Sequence, residues 1–215
     1  NRGLLHSAEG NLELAKKDYN KAIEMDSAFS GAILNLAQLN CEMDDYQEAF
    51  LNFDKAIQLD STLAAAYFFR GMAKSDIGDY QGAIYDFNKS LQLDSIFYAG
   101  NTKEVDTETS IDAIEYTVTF EYADGSLDVF WMLGYAKFEI EDYRGAINDY
   151  DIIIKSDSLS ADAYNMRGTC HSMVDNFELA LKDLNKAIEL DKELYQAYFN
   201  RGLALIYSGK IEEGC

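Results

Sequence analysis

Proline does not occur in this chain. Its absence removes the commonest helix stop, so other residues must punctuate whatever helices form. Cysteine is nearly absent too: Cys41, Cys170 and Cys215 are too few and too scattered for a disulfide framework or a zinc site. Three such thiols suit a reducing compartment without fixing one, and localisation stays open. No stretch approaches the roughly 18 unbroken apolar residues of a membrane-spanning helix. Nor does a basic-then-apolar leader open the chain, which starts at Asn1 without an initiator Met. Positive charge is scarce: 18 basic residues face 38 acidic ones, for a formal net charge of −20. Such a surface repels phosphate backbones and anionic membranes, so no nucleic acid and no membrane insertion are expected. A neutral to basic protein or peptide partner fits the charge better.

What the chain does have is apolar content, 48% of its residues, enough for a substantial core rather than a disordered acidic tail. That content recurs with a period. The small residues Gly3, Ala37, Gly71, Gly134, Gly168 and Gly202 are spaced 34, 34, 63, 34 and 34 apart. Ala15, Ala49, Ala83, Ala146 and Ala180 keep step with them, each followed four residues later by Tyr19, Phe53, Phe87, Tyr150 or Leu184. A third register runs through Ala22, Ala56, Ser90, Ile153 and Ala187. Three markers on one period define an internal repeat. Each unit reads as two amphipathic helices, as in 64–77 and 80–93, with apolar residues three and four apart. The junctions Gly10-Asn11, Asp44-Asp45, Gly78-Asp79, Glu141-Asp142 and Asp175-Asn176 are expected to end one helix and cap the next. Asp26-Ser27, Asp60-Ser61, Asp94-Ser95 and Asp157-Ser158 are expected to do the same between units.

One polar pattern rides on the period. Arg2, Arg70, Arg167 and Arg201 take the place before the marker glycine, and Asp18, Asp86 and Asp183 share one place on second helices. We read Arg70–Asp86 and its equivalents as ion pairs between paired helices, each satisfying a charge that is costly to bury alone. Leu36 with Asn52 replaces the pair in the second unit, and the fourth has Leu133 with Asp149.

The sequence Phe130-Trp131-Met132-Leu133-Gly134, followed by Ala146 and Tyr150, closely resembles the tetratricopeptide repeat: an aromatic, a Leu-Gly pair, then Ala with an aromatic four residues on. Tyr67-Phe68-Phe69-Arg70-Gly71 with Ala83 and Phe87 resembles it apart from Arg for Leu. The family's closing Pro is replaced by Ser27, Ser61, Ser95, Ser158 and Lys192. The resemblance spans all but an insert and implies an all-α, right-handed superhelical solenoid of helix-turn-helix repeats. Units one to three occupy 1–97, the insert 98–126, and units four to six 127–215, all in one solenoid domain. The first and last units are incomplete, so the chain reads as an excerpt of a longer array. Within the insert, 101–110 is polar, Thr117 to Tyr122 alternates as a strand does, and 123–126 reads as a turn. The insert is therefore irregular and partly β.

For function the resemblance implies a protein-interaction scaffold, with bound peptide lying on the concave face lined by each unit's first helix. Projected onto that face, the peptide-binding candidates are Asn35, Gln38, Phe68, Met72, Trp131, Tyr135, Asn165, Phe199 and Asn200. Phe68, Trp131, Asn165 and Phe199 are expected to be exposed. Aromatic and Met side chains offer contact area at low entropic cost, and Asn amides can pair with a peptide backbone. The occupant would be an extended or helical, largely apolar segment. No basic two-lysine clamp for a terminal carboxylate is present. The alternatives are a structural, self-associating module, through truncated ends or with the groove filled by the insert, or a regulatory domain of a larger protein.

Catalysis finds no foothold. Of the two histidines, His171 adjoins Cys170, but adjacent helical residues point about 100° apart. No G-x-S-x-G elbow, phosphate-binding glycine loop or H-E-x-x-H pair occurs. No enzyme activity, cofactor or metal is expected.

Overall fold

The computed structural model describes residues 2–99 and 126–209. They form eleven helices and, among the described residues, no strand: α1 (Arg2–Ala8), α2 (Leu12–Met25), α3 (Ser30–Glu42), α4 (Tyr46–Leu59), α5 (Ala64–Asp76), α6 (Tyr80–Ala99), α7 (Ser126–Glu139), α8 (Tyr143–Ser156), α9 (Ala161–Met173), α10 (Phe177–Leu190) and α11 (Tyr195–Tyr207). The chain divides into two compact units, Asn1–Thr107 and Glu108–Cys215. The first holds the pairs α1–α2, α3–α4 and α5–α6; the second holds α7–α8, α9–α10 and α11.

The turn inside each pair is built the same way. Gly10, Asp44, Gly78, Glu141 and Asp175 all adopt positive φ, between 58° and 81°. The next residue's N–H then reaches back to a carbonyl five residues earlier: Asp45 to Asn40 at 2.8 Å, Asp79 to Lys74 at 2.8 Å, Asp142 to Lys137 at 2.9 Å. This satisfies carbonyls that the ending helix leaves orphaned. The side chains of Asp45, Asp79 and Asp142 then accept from the N–H three residues on and start the second helix. Asn11 and Asn176 stand in the same place but make no side-chain cap.

Between pairs, it is the aspartate of each Asp-Ser junction that holds the turn. Asp26, Asp60 and Asp157 accept from the N–H two residues ahead at 2.9–3.0 Å, and Asp191 does so at 2.8 Å. Asp94-Ser95 departs from expectation: α6 continues through it to Ala99. The sequence Ser95-Ile96-Phe97-Tyr98-Ala99 contains no breaker, and no marker glycine follows at the usual spacing. Ser126, expected in a turn, opens α7. The strand expected at 117–122, the polar stretch 101–110 and the segment after Gly209 lie outside the described residues.

The marker residues form the core. In the first unit Ile33, Leu34, Ala37, Ala49, Phe53, Ala56, Ala66 and Ala73 pack as one cluster across α3, α4 and α5. Ala15 and Tyr19 of α2 meet Leu36 and Leu39 of α3. In the second unit Ala180 and Leu184 of α10 meet Ala204 of α11, and Leu133 and Tyr150 are fully buried. The marker glycines set the interhelix distance. A Cβ on Gly71 would lie 2.8 Å from the Phe87 ring, and one on Gly134 2.8 Å from Tyr150. Only glycine admits so close a partner helix.

Candidate functional site

The expected Arg–Asp pairs are present. Arg70 sends Nε and Nη2 to the two oxygens of Asp86 at 2.8 and 2.6 Å, and Arg167 does the same to Asp183 at 2.7 Å each. Arg2 engages both oxygens of Asp18. Three of the guanidinium groups stack on the tyrosine one turn before them: Arg70 on Tyr67, Arg167 on Tyr164 and Arg201 on Tyr198, at 5.4–5.5 Å. The third nitrogen makes a contact that the pairing pattern alone does not announce. Arg70 Nη1 donates to Asp54 at 2.6 Å, Arg167 Nη1 to Asp151 at 2.5 Å and Arg201 Nη1 to Asn185 at 2.9 Å. Those acceptors lie sixteen residues earlier, on the second helix of the preceding pair. Arg70 and Arg167 thus each tie three helices together, while Arg201 joins α11 to α10. The hydrogen bonds to Asp86 hold Arg70 well above the ordinary guanidinium range. Burial opposes the same effect at Arg167, whose bonds to Asp183 and Asp151 raise it nonetheless.

The fourth pair solves the same problem differently. Leu133 offers no charge to Asp149, so Lys137, one turn further along α7, supplies it. Its Nζ donates to Asp149 Oδ1 at 3.0 Å and lies 2.7 Å from Oδ2, off that oxygen's hydrogen-bonding direction. One ammonium replaces a bidentate fork, and burial pushes the Asp149 carboxyl up to about 6. His171 occupies the equivalent place on α9, 3.9 Å from Asp183, and burial lowers its pKa. Burial also raises the Cys170 thiol to about 12, which leaves it unreactive at neutral pH.

The peptide-binding candidates separate into two groups. On the first unit, Asn35 and Gln38 of α3 are half-buried, as are Phe68 and Met72 of α5. The exposure expected of Phe68 is not found; its ring packs 5.3 Å from Phe69 and 5.9 Å from Phe87. On the second unit, Trp131 also falls short of exposure, lying edge-on to Tyr150 at 5.5 Å. Tyr135, one turn along α7, is exposed. Asn165 is the clearest correction, only 6% exposed. It lies beneath Asn200, whose Nδ2 donates to Asn165 Oδ1 and Thr169 Oγ1 at 3.0 Å each. An amide in contact with the next first helix buries because its neighbour satisfies it. Phe199, at 66%, is open as expected. The structure therefore joins Asn165 and Asn200 across α9 and α11 and adds Thr169.

No group of three potential metal ligands occurs among the described residues, and no described helix is long and apolar enough to cross a membrane.

Helix pairs of 34 residues, glycine-spaced and joined by αL turns, define a repeat scaffold. The chain belongs to the tetratricopeptide repeat family. One model described as a tetratricopeptide repeat matches residues 1–29, 64–97 and 161–194, and a second matches 132–172. Among curated proteins, the chain is 35% identical over 78 residues to the Protein SGT1 homolog of Oryza sativa subsp. japonica, covering 36% of this chain and 20% of that one. It is 36% identical over 73 residues to Small glutamine-rich tetratricopeptide repeat-containing protein 2 of Saccharomyces cerevisiae, covering 34% and 21%. The chain thus matches about a fifth of the length of these relatives. Among solved structures, YrrB, described as a TPR protein with an unusual peptide-binding site, superposes with a TM-score of 0.69 at 22% identity, covering 91% of this chain and 86% of that one. A tetratricopeptide repeat protein from Parabacteroides merdae superposes with a TM-score of 0.72 at 16% identity, covering 99% and 73%. The protein is an all-α tetratricopeptide repeat solenoid and a protein–protein interaction scaffold.

Proposed function

We propose that the first-helix face of the second unit binds an extended or helical, largely apolar peptide segment. The observation that carries this reading is the amide bridge between α9 and α11. Asn200 spends both Nδ2 hydrogens on Asn165 and Thr169, which fixes its plane and leaves Oδ1 to accept from a peptide N–H. Phe199, next to it in sequence, has an exposed ring, and the first helix α7 of the same unit carries the exposed Tyr135 and the half-buried Trp131. A fixed polar acceptor set among aromatic surfaces suits a peptide whose side chains are apolar and whose backbone needs partners. The Asn35, Gln38, Phe68 and Met72 face of the first unit offers the same composition. The charge of −20 favours a neutral to basic segment through faster encounter.

The test is a selection of displayed random peptides on the intact chain, with Trp131→Ala and Asn200→Ala as counter-selection. Apolar, acid-poor sequences that lose binding to both variants are expected. Selected peptides that bind both variants as well as the parent chain would sink the reading.

A further inference from the structure

Helix α7 carries a stripe that α9 does not repeat. Asp128, Trp131, Tyr135 and Glu139 stand at i, i+3, i+7 and i+11. At about 100° per residue, all four fall within about 60° of one another. Two aromatic side chains are thus bracketed by two carboxylates about 16 Å apart along the helix axis. On α9 the same registers hold Asp162, Asn165, Thr169 and Met173, which lack both the aromatic pair and the second carboxylate. Asp128 and Glu139 are both exposed. Asp128 lies in the first turn of α7, where the helix dipole favours a carboxylate; Glu139 is the last residue, where the dipole opposes one. The cations of the first helices do not offset that. Lys137 is committed to Asp149, and Arg167 to Asp183 and Asp151, so among the described residues no ion pair reaches Asp128 or Glu139. The stripe presents two anions and an apolar centre to whatever lies along it.

We propose that the occupant of this face is an amphipathic helix of a partner protein, laid along α7. It carries lysine or arginine at two positions eleven apart, with large apolar residues on the same side between them. The proposal rests on the peptide-binding reading above and narrows it to a helix of defined charge spacing. Only a helix matches all four side chains. Its residues eleven apart point within about 20° of each other, so both bases meet the acids while the turns between cover Trp131 and Tyr135. An extended segment spans the same 16 Å in about five residues, an odd step that sends the two bases to opposite faces. The two exposed acids fix the sign of the partner's charge and its register. A second copy of this chain is not the donor. Arg144 and Lys155 of α8 are its one basic pair at that spacing, and Asp151, held by Arg167, stands between them at i+7.

The experiment uses the intact chain and two fluorescently labelled peptides of identical composition, read by anisotropy. Each is an alanine–glutamine helix with one lysine, leucines at i+3, i+4, i+7 and i+8 from it, and a second lysine at either i+11 or i+9. The i+9 isomer turns its second lysine about 180° away from the first. The i+11 peptide is expected to bind about threefold tighter, as one exposed ion pair allows, and the preference should fade at high salt. Circular dichroism should show it helical when bound. Asp128→Asn and Glu139→Gln should each erase the preference between isomers, whereas Trp131→Ala should weaken both isomers alike. Equal binding of the two isomers, a preference that survives Glu139→Gln, or binding of neither overturns the proposal. Isomers that bind equally but lose affinity together in Trp131→Ala would overturn the charge spacing while leaving the groove reading intact. Binding indifferent to Trp131→Ala would overturn both.

Discussion

Arg70 and Asp86 lie sixteen residues apart on paired helices and meet through two near-parallel hydrogen bonds, with the aspartate fully buried and Lys74 closing on it at 2.8 Å. Removing the aspartate leaves two cations without their counter-charge in a partly desolvated site. Asp86→Ala should cost about 3 kcal/mol. The double replacement Arg70→Leu with Asp86→Asn, the combination the second unit uses in Leu36 and Asn52, should cost markedly less. Denaturant titration by circular dichroism distinguishes the two; equal losses would refute the account.

Asp149 should give the second unit an inverted pH dependence. Its carboxyl sits near 6 in the folded chain, against about 4 when unfolded, so the folded state holds a proton that the unfolded state releases. Stability from this group is complete below about pH 4 and is lost as pH rises through 6. That difference in proton affinity corresponds to roughly 3 kcal/mol across the window. Relative to Asp149→Asn, the parent chain should therefore gain stability between pH 7.5 and pH 5. Denaturation midpoints of both proteins at the two values check the sign.

The αL turns differ in what they cost. Glu141 holds φ at 64° with a side chain, where Gly78 holds 81° without one. Glu141→Gly should raise stability by about 0.5–1 kcal/mol, and Gly78→Ala should lower it by a similar amount. Paired melting curves report both, and a destabilised Glu141→Gly would contradict the strain argument.

Two glycines in the same register should respond oppositely to alanine. At Gly134 the added methyl meets Tyr150 at 2.8 Å, and separating α7 from α8 should cost about 2 kcal/mol. At Gly202 it meets no described atom, so helix propensity alone should add up to about 1 kcal/mol. Thermal unfolding of the two variants measures the contrast.

The period makes the helices readable. Small residues and aromatics repeat because helix spacing demands them, and the Arg–Asp offset can be read for the same reason. The third arginine contact also leaves a trace, since Asp54, Asp151 and Asn185 precede Arg70, Arg167 and Arg201 by one constant step. It escapes a reading made pair by pair because it crosses between pairs. The rescue of Asp149 by Lys137 is visible in the same way once a second cation place, shared by Lys74, is admitted. Burial of Asn165 is harder to see. Whether an amide on a first helix faces outward depends on the next first helix, and no local pattern encodes that neighbour. Likewise, nothing in Asp94-Ser95 distinguishes it from junctions where the chain turns; the difference lies in what comes after.

The arginine fork also bears on how such a chain can change. Carboxylate or amide acceptors stand where an arginine follows, at Asp54, Asp151 and Asn185, while Asn20 and Asn88 precede Leu36 and Leu133 in the sequence. An amide serves either neighbour, since Asn185 accepts from Arg201 while Asn20 and Asn88 come before leucines. A carboxylate does not: Asp54 and Asp151 would face leucine if the units that follow them were exchanged for those of Leu36 or Leu133. The order of units is thus written in part in the acceptor that each hands to the next.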